Sequence, residues 1–252
     1  MTSAREAIAR LRARGDPTRV PQAARFFKTG PGEYGEGDRF LGVTVPDTRR
    51  VLRETALDLA SALTLLQSPW HEARLLAVLA MVRLYERGTP GERRAVLAAY
   101  LAHTGRINNW DLVDSSAAQV VGPELCGKGG RALARLARSK VLWERRIAMI
   151  ATAHAIRDGD PTDALAIAAL LVFDEHDLIH KAVGWMLREV GARCGLQHLR
   201  RFLRAHAKTM PRTALRYAIE HLAPAERRRW MAHGPERQAG RAASASPGSA
   251  PS

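Results

Sequence analysis

The sequence predicts an all-α protein in which antiparallel helix pairs stack into an α-solenoid with a concave basic face. Apolar residues recur with helical spacing along most of the chain, and short motifs repeat about every 36 residues. Strand patterns are nearly absent, because β-branched and aromatic residues seldom cluster or alternate outside residues 40–45. These three observations together favour the all-α class.

Six segments carry the apolar spacing of a core-facing helix. In residues 71–87 the stripe runs through Leu75, Leu79 and Val82. The other segments are residues 141–157, 163–173, 177–191, 196–207 and 212–222. Prolines stand near predicted helix starts, where a missing N–H costs little, at Pro46, Pro69, Pro90, Pro161, Pro211 and Pro224. Ser68 and Asp160 precede two of these prolines and are favourable N-caps.

A nine-residue motif occurs three times, at residues 72–80, 144–152 and 179–187. Each copy places a cation just before an apolar stretch, and these cations are Arg74, Arg146 and Lys181. Such a repeat of paired helices is typical of a solenoid of the HEAT type. A four-helix bundle is the alternative, but it does not explain a cation at a fixed offset. We therefore expect equivalent cations to line the concave face.

Two segments depart from the helical pattern. Residues 29–38 are rich in glycine and contain one proline, which predicts an irregular loop. Residues 234–252 consist mainly of Ala, Ser, Pro and Gly after a few polar residues, a composition that cannot bury a core. The predicted organisation is one helical domain over residues 1–233 and a disordered tail over residues 234–252.

Composition excludes several classes of protein. The chain of 252 residues is 46% hydrophobic, which is enough for a continuous core and too apolar for wholesale disorder. Its two cysteines form no disulfide framework and fit a reducing compartment. The sequence shows neither an apolar run long enough to span a membrane nor a secretion signal. These features predict a soluble cytoplasmic protein.

The charge is strongly positive and uneven. Lys and Arg number 39 against 25 Asp and Glu, a net charge of +14. Residues 193–229 hold ten Lys or Arg and two acids. An arginine-rich proteome could produce a basic surface without function, but this excess favours a polyanionic partner, since neutralised phosphates release counterions. Nucleic acid is the expected partner.

Several familiar sites are missing from the sequence. It contains no Walker loop, zinc-ligand spacing or Gly-x-Ser-x-Gly elbow. His176 and His180 share a helix face at i, i+4, but no Glu-x-x-His context supports a metal there, so we interpret them as structural or solvated. We therefore expect neither a metal nor a cofactor.

Residues 106–114 are the strongest candidate for a site. Asn108 or Asn109 can cap a helix here, and Trp110 and Asp114 then project from one face, one turn apart. Asp114 has apolar neighbours in sequence, which is costly for a charge without a partner or ligand. Trp185 lies one turn beyond Lys181 and can join them. The alternative is that both tryptophans are core residues and that Asp114 caps a helix or pairs with an arginine.

Together these residues fit a particular chemistry. Indole faces attract cations, and a carboxylate stabilises positive charge that develops on a sugar. A cationic alkylated purine attached to deoxyribose meets both requirements. It needs no general acid, because the charged base is already a good leaving group.

Five segments in order resemble the AlkD-like family of DNA alkylation repair glycosylases, namely residues 26–46, 109–114, 143–148, 181–189 and 212–220. The resemblance extends over about residues 4–231. It implies a HEAT-like solenoid that hydrolyses the N-glycosidic bond of cationic N3- and N7-alkylpurines in duplex DNA, with the base left stacked. It also implies that Asp114, Trp110 and Trp185 form the catalytic site and that Arg146 binds the DNA backbone.

Further cations are expected to contact phosphates: Arg74, Lys28, Lys181, Arg188, Arg212 and Arg216. The sequence departs from the best-characterised branch at Thr44, where that branch carries Gln, and in its longer glycine-rich loop. The sequence-based hypothesis is thus a monomeric, metal-independent glycosylase acting on double-stranded DNA with alkylated bases. The alternatives are a non-catalytic binder of damaged or branched DNA and a HEAT-type protein scaffold.

Overall fold

The computed structural model describes residues 2–232, and in this part of the chain the predicted all-α class is confirmed. No residue of it lies in a strand longer than a single bridge. Its helices are α1 (Ala4–Arg12), α2 (Val20–Phe26), α3 (Val45–Glu54), α4 (Leu59–Leu66), α5 (His71–Arg87), α6 (Pro90–Ala102), α7 (Trp110–Asp114), α8 (Ala117–Val120), α9 (Gly122–Leu125), α10 (Arg131–Ala137), α11 (Leu142–Ala151), α12 (Ala153–Arg157), α13 (Thr162–Leu171), α14 (Asp177–Arg193), α15 (Leu196–His206), α16 (Arg212–Ala218) and α17 (Pro224–Ala232).

The helices stack in chain order, as in a solenoid. The three copies of the repeated motif form α5, α11 and α14, and each of these helices packs at the centre of its own group. α5 lies among α3, α4, α6 and α8, α11 lies among α7, α8, α10 and α14, and α14 lies among α11, α13, α15 and α16. Fully buried residues such as Leu76, Ile147 and Val183 fill the core along this row. The repeat therefore marks structurally equivalent helices, and the solenoid-like prediction is confirmed.

Most helix bounds follow the predicted stripes, with three differences. The stripe at residues 141–157 is divided at Thr152, whose hydroxyl donates to the Met149 carbonyl (2.7 Å) and competes with helical bonding. The stripe at residues 212–222 ends at Ala218. Ser68 does not cap α5: its hydroxyl accepts the Trp70 N–H (3.2 Å), and the helix begins only at His71.

The glycine-rich segment is an irregular loop, as predicted, and the extended residues after it are tied to α5. The Glu72 carboxylate accepts the backbone N–H groups of Leu41, Gly42 and Val43 at 2.9–3.2 Å. Arg39 makes one isolated bridge with Trp70. Because a side chain rather than a neighbouring strand satisfies these N–H groups, the strand-like residues 40–45 form no sheet.

Two further predictions meet the limits of the described residues. Between residues 2 and 232, no helix combines the length and apolarity needed to cross a bilayer. The tail predicted for residues 234–252 lies outside the described residues, so its disorder stays a prediction.

Candidate active site

Asn109 sets the start of α7 and thereby the direction of the site residues. It is fully buried, and its side-chain oxygen accepts the Trp110 N–H at 2.8 Å. The prediction that Asn108 or Asn109 caps this helix is thus confirmed for Asn109. Because α7 is only five residues long, Trp110 and Asp114 occupy its first and last positions, one turn apart.

Asp114 forms a bidentate ion pair with Arg146 of α11. Arg146 Nε donates to Asp114 Oδ1 at 2.9 Å, and Arg146 Nη2 donates to Oδ2 at 2.7 Å. The Asp114 side chain is 16% exposed and the Arg146 side chain 5%. The third donor of the guanidinium, Nη1, binds the Leu178 carbonyl at the start of α14. Asp114 therefore pairs with an arginine, one of the alternatives raised by the sequence, and Arg146 connects α7, α11 and α14.

Burial and Arg146 shift the pKa of Asp114 in opposite directions. Burial raises the pKa of Asp114 above the usual aspartate value, and the charge and hydrogen bonds of Arg146 lower it in part. Arginine stays protonated in proteins. A partly desolvated carboxylate beside a fixed cation, with 16% of its side chain still exposed, is suited to stabilising a positive charge that approaches it.

Trp110 lies in a cluster of aromatic side chains supplied by the end of α2. Its ring stacks on Phe27 (centroids 5.5 Å apart, planes 23° apart) and meets the edge of Phe26 at 5.5 Å. Phe26 is 61% exposed. These contacts fix the indole beside Asp114 and leave aromatic surface at the opening of the site.

Tyr34, from the glycine-rich loop, reaches the same place and was not predicted. Its ring lies edge-on to Trp143 (6.0 Å) and His176 (6.3 Å). Burial raises the pKa of the Tyr34 hydroxyl, while a hydrogen bond from Trp110 and the charges of Lys181 and Arg146 act in the opposite direction. A lone aromatic residue within a glycine-rich loop was the only signal in the sequence.

Trp185 is on α14, one turn beyond Lys181, but its described neighbours differ from those of Trp110. It borders a cleft of about 200 Å³ with Ala153 and Arg157 of α12 and Glu189 of its own helix. The ring contacts of Trp110 are with Phe26 and Phe27. The described contacts thus join Asp114 to Arg146, one turn from Trp110, and Trp185 shares none of these contacts.

Arg74, the equivalent of Arg146 in the first repeat, is turned inward. Its side chain is 1% exposed and pairs with Asp38 of the glycine-rich loop at 2.6 Å. It also donates to the Ser68 carbonyl at 3.2 Å. Contrary to the prediction, Arg74 offers no surface donor to a phosphate. Arg146 is turned inward in the same way, so two of the repeated cations connect successive layers instead of lining a groove.

His71 extends this buried network from the loop to α7. Its Nδ1 lies 3.0 Å from Asp38 and its Nε2 lies 2.8 Å from Asp111. Burial opposes its protonation, but the charge of Asp111 and hydrogen bonds to both aspartates outweigh burial and raise the pKa of His71 to about 9. The imidazolium therefore joins two carboxylates, and one of them, Asp111, follows Trp110 in α7. This pairing could not be predicted from local sequence, because the partners lie 33 and 40 residues away.

The remaining predicted cations differ in their exposure and in the partners that their side chains already have. Lys28 lies 3.8 Å from Glu33 and Lys181 lies 2.7 Å from Asp177, and both lysines are substantially exposed. Arg188 pairs with Glu189 and Glu220, and Arg212 donates to the Met231 carbonyl (2.6 Å). Arg216 is exposed. It borders a cleft of about 730 Å³ together with Arg188 and two arginines that were not predicted, Arg227 and Arg228.

The histidine pair predicted to be structural has structural partners. His176 Nδ1 accepts the Leu178 N–H at 3.1 Å as the N-cap of α14, and His180 bonds the Asp174 carbonyl. Over residues 2–232 no cluster of His, Cys, Asp and Glu is arranged to hold a metal ion. Thr44 caps α3, where its hydroxyl oxygen accepts the Asp47 N–H at 3.2 Å.

Comparison with known proteins gives a consistent assignment. Residues 7–222 match the family described as DNA alkylation repair enzymes. A similar solved structure is the predicted DNA alkylation repair enzyme from Enterococcus faecalis, with a TM-score of 0.65 and 18% sequence identity. The similarity covers 84% of this chain and 98% of that one, and at this identity it supports the fold alone. No curated protein matches the sequence.

Proposed function

The chain belongs to the DNA alkylation repair enzyme family, and we propose that it is a glycosylase for cationic alkylpurines in duplex DNA. The family indicates a role in DNA repair with DNA as the partner. Our finer proposal is that the enzyme hydrolyses the N-glycosidic bond of N3- and N7-alkylated purines. The first product of such a reaction is a free base and an abasic site.

The observation that supports this proposal is the Asp114–Arg146 pair one turn from Trp110. As the bond between C1′ and the purine nitrogen breaks, its electron pair leaves with the base, which becomes neutral. Positive charge then develops on the sugar, and the Asp114 carboxylate stabilises it. A water molecule adds its oxygen to C1′, and its proton passes to Asp114 or to solvent. Arg146 favours the anionic form of Asp114 throughout.

The aromatic residues supply affinity for the lesion. A cationic purine is attracted to an indole face through the ring quadrupole, a contact worth about 0.5–2 kcal/mol. Trp110 would contact the nucleotide beside Asp114, and Trp185 would contact the DNA farther along α14. Trp110 is already packed between phenylalanine rings. This packing favours a lesion held against the surface over one rotated into a deep pocket, and we therefore propose excision without base flipping.

The exposed cations would bind the DNA backbone. Lys28, Lys181 and Arg216 carry exposed side chains, and Arg188 and Arg212 are proposed to assist them near the α14–α16 surface. Arg74 is omitted from this set because it is buried against Asp38. Arg146 is assigned to Asp114 for the same reason.

Replacing Asp114 by Asn tests the proposal, because the amide keeps the shape and removes the charge. Single-turnover release of 7-methylguanine should fall by about 10²–10³-fold, the usual effect of losing one electrostatic stabiliser. Affinity for undamaged duplex should stay the same or rise, since a negative charge is removed. Asp158→Asn, an exposed aspartate at the end of α12, is the matched control and should behave as the wild type.

Two results would contradict the proposal in different ways. Unchanged base release by a folded Asp114→Asn variant would assign Asp114 to a structural role. No release by the wild type would favour the non-catalytic binder of damaged DNA.

A further inference from the structure

Tyr34 is the residue that connects the glycine-rich loop to all three helices of the candidate site. The Trp110 indole of α7 lowers the pKa of its hydroxyl. Its ring meets Trp143 of α11 edge-on at 6.0 Å, and His176, the N-cap of α14, at 6.3 Å. The positive charges of Lys181 and Arg146 also act on its hydroxyl. One partly exposed side chain thus lies where α7, α11 and α14 come together.

The loop holds this ring in place. The Gly35 N–H donates to the Lys28 carbonyl at 2.9 Å. A Cβ at Gly35 would lie 2.3 Å from the Phe27 carbonyl oxygen, so the backbone approaches α2 more closely than any larger residue permits. Three residues later, Asp38 is fixed by Arg74 and His71. Because the loop is held at Gly35 and at Asp38, Tyr34 occupies a fixed position between these two attachments.

The charges around Tyr34 favour contact with a nucleotide. The Tyr34 side chain lies within the electrostatic reach of the exposed Lys181 and of Arg146, so its positive surroundings and its own ring match a sugar-phosphate unit carrying an aromatic base.

We propose that Tyr34 is a specificity-determining residue whose ring contacts the damaged nucleotide opposite Trp110. The inference rests on the proposed function and gives the glycine-rich loop a role in recognising the lesion. The ring accounts for most of the effect, because an aromatic contact with a base changes affinity by about tenfold or more.

The test compares Tyr34→Leu, Tyr34→Ala and Tyr34→Phe with the wild type. Leucine fills the space without an aromatic face, so it guards against collapse of the loop in the alanine variant. Trp230→Ala changes a partly buried aromatic residue on α17, outside this cluster, and is the control. Affinity is measured with a duplex carrying 2′-fluoro-7-methylguanosine, which resists cleavage, and with the undamaged duplex. Release is measured with 7-methylguanine under single turnover.

The leucine and alanine variants should lose about tenfold in preference for the lesion duplex and about tenfold in release, with undamaged affinity and melting temperature unchanged. Phenylalanine should restore both values to within about threefold of the wild type. Equal losses on lesion and undamaged duplex would overturn the inference and make Tyr34 a backbone contact. Wild-type values in every Tyr34 variant would overturn it while leaving the glycosylase proposal intact. A wild type that neither releases base nor prefers the lesion duplex would overturn both.

Discussion

The ionisation of Asp114 controls the proposed chemistry at the scale of single residues. Burial raises the pKa of this carboxyl, and Arg146 offsets part of the rise. Since the anion is the active form, release should be full above that pKa and should decline as the pH falls through it. The decline should begin at a higher pH than for an ordinary exposed aspartate. A pH profile of enzyme-dependent release, corrected for spontaneous depurination, measures this decline, which is the acid limb of the profile. A flat profile down to pH 4 would contradict the role of the Asp114 anion.

Arg146 gives a second prediction at this scale, because its donors bind Asp114 and the Leu178 carbonyl. Replacing it with Gln removes the charge that favours the carboxylate, so the pKa of Asp114 should rise. The acid limb of the pH profile should move to higher pH, and release at fixed pH should fall. Affinity for undamaged duplex should change little. The opposite result would be a salt dependence reduced by about one phosphate contact with no shift in the acid limb of the pH profile. That result would favour the contact between Arg146 and the DNA backbone that the resemblance implied.

At the scale of helices and loops, His71 connects the glycine-rich loop to α5 and α7. Its pKa is raised to about 9, so the stabilisation by the imidazolium is complete below the unfolded value near 6.5 and is lost as the pH rises through 9. At about 1.4 kcal/mol per pKa unit, the free energy of unfolding should fall by about 3 kcal/mol across this interval. Denaturant unfolding from pH 6 to 10 measures it.

A His71→Gln variant supplies the control for this prediction. It should be less stable at pH 6 and should show a much smaller decrease up to pH 9. Equal pH dependence in the variant and the wild type would mean that another group titrates in this range.

The positions of helices and of their N-caps could be predicted where the signal lies in neighbouring residues of the sequence. The stripe at residues 71–87 gave the exact bounds of α5, and the prediction of a cap at Asn108 or Asn109 was correct for Asn109. The roles of the repeated cations were not predictable from local sequence. Whether an arginine on an apolar face binds a ligand or a buried aspartate depends on a partner 32 or 36 residues away, as for Arg146 and Arg74. The position of Tyr34 likewise depends on how the loop folds back over three helices.

For the whole molecule, the total of 39 Lys and Arg overstates how many cations DNA can contact, because several arginines have acidic partners. Alanine replacement of Lys28, Lys181 or Arg216 should each lower the salt dependence of duplex binding by about one phosphate, uniformly for damaged and undamaged DNA. Arg74→Ala should instead lower stability, since removing one member of a buried ion pair costs about 3–5 kcal/mol. Titrations of binding against salt and melting curves separate the two classes. A reduced salt slope for a stably folded Arg74→Ala variant would contradict this division.

The central claim is that the lesion's own positive charge makes it a substrate, since the site offers an anion and aromatic faces but no assigned general acid. The most direct measurement is base release from a panel of duplexes, each with one lesion, at equal enzyme concentration. We expect release of 7-methylguanine and 3-methyladenine and none of uracil or hypoxanthine, whose departure needs protonation or another stabilising group. Efficient release of uracil would contradict the mechanism, and no release of either cationic base would contradict glycosylase activity and favour the non-catalytic binder of damaged DNA.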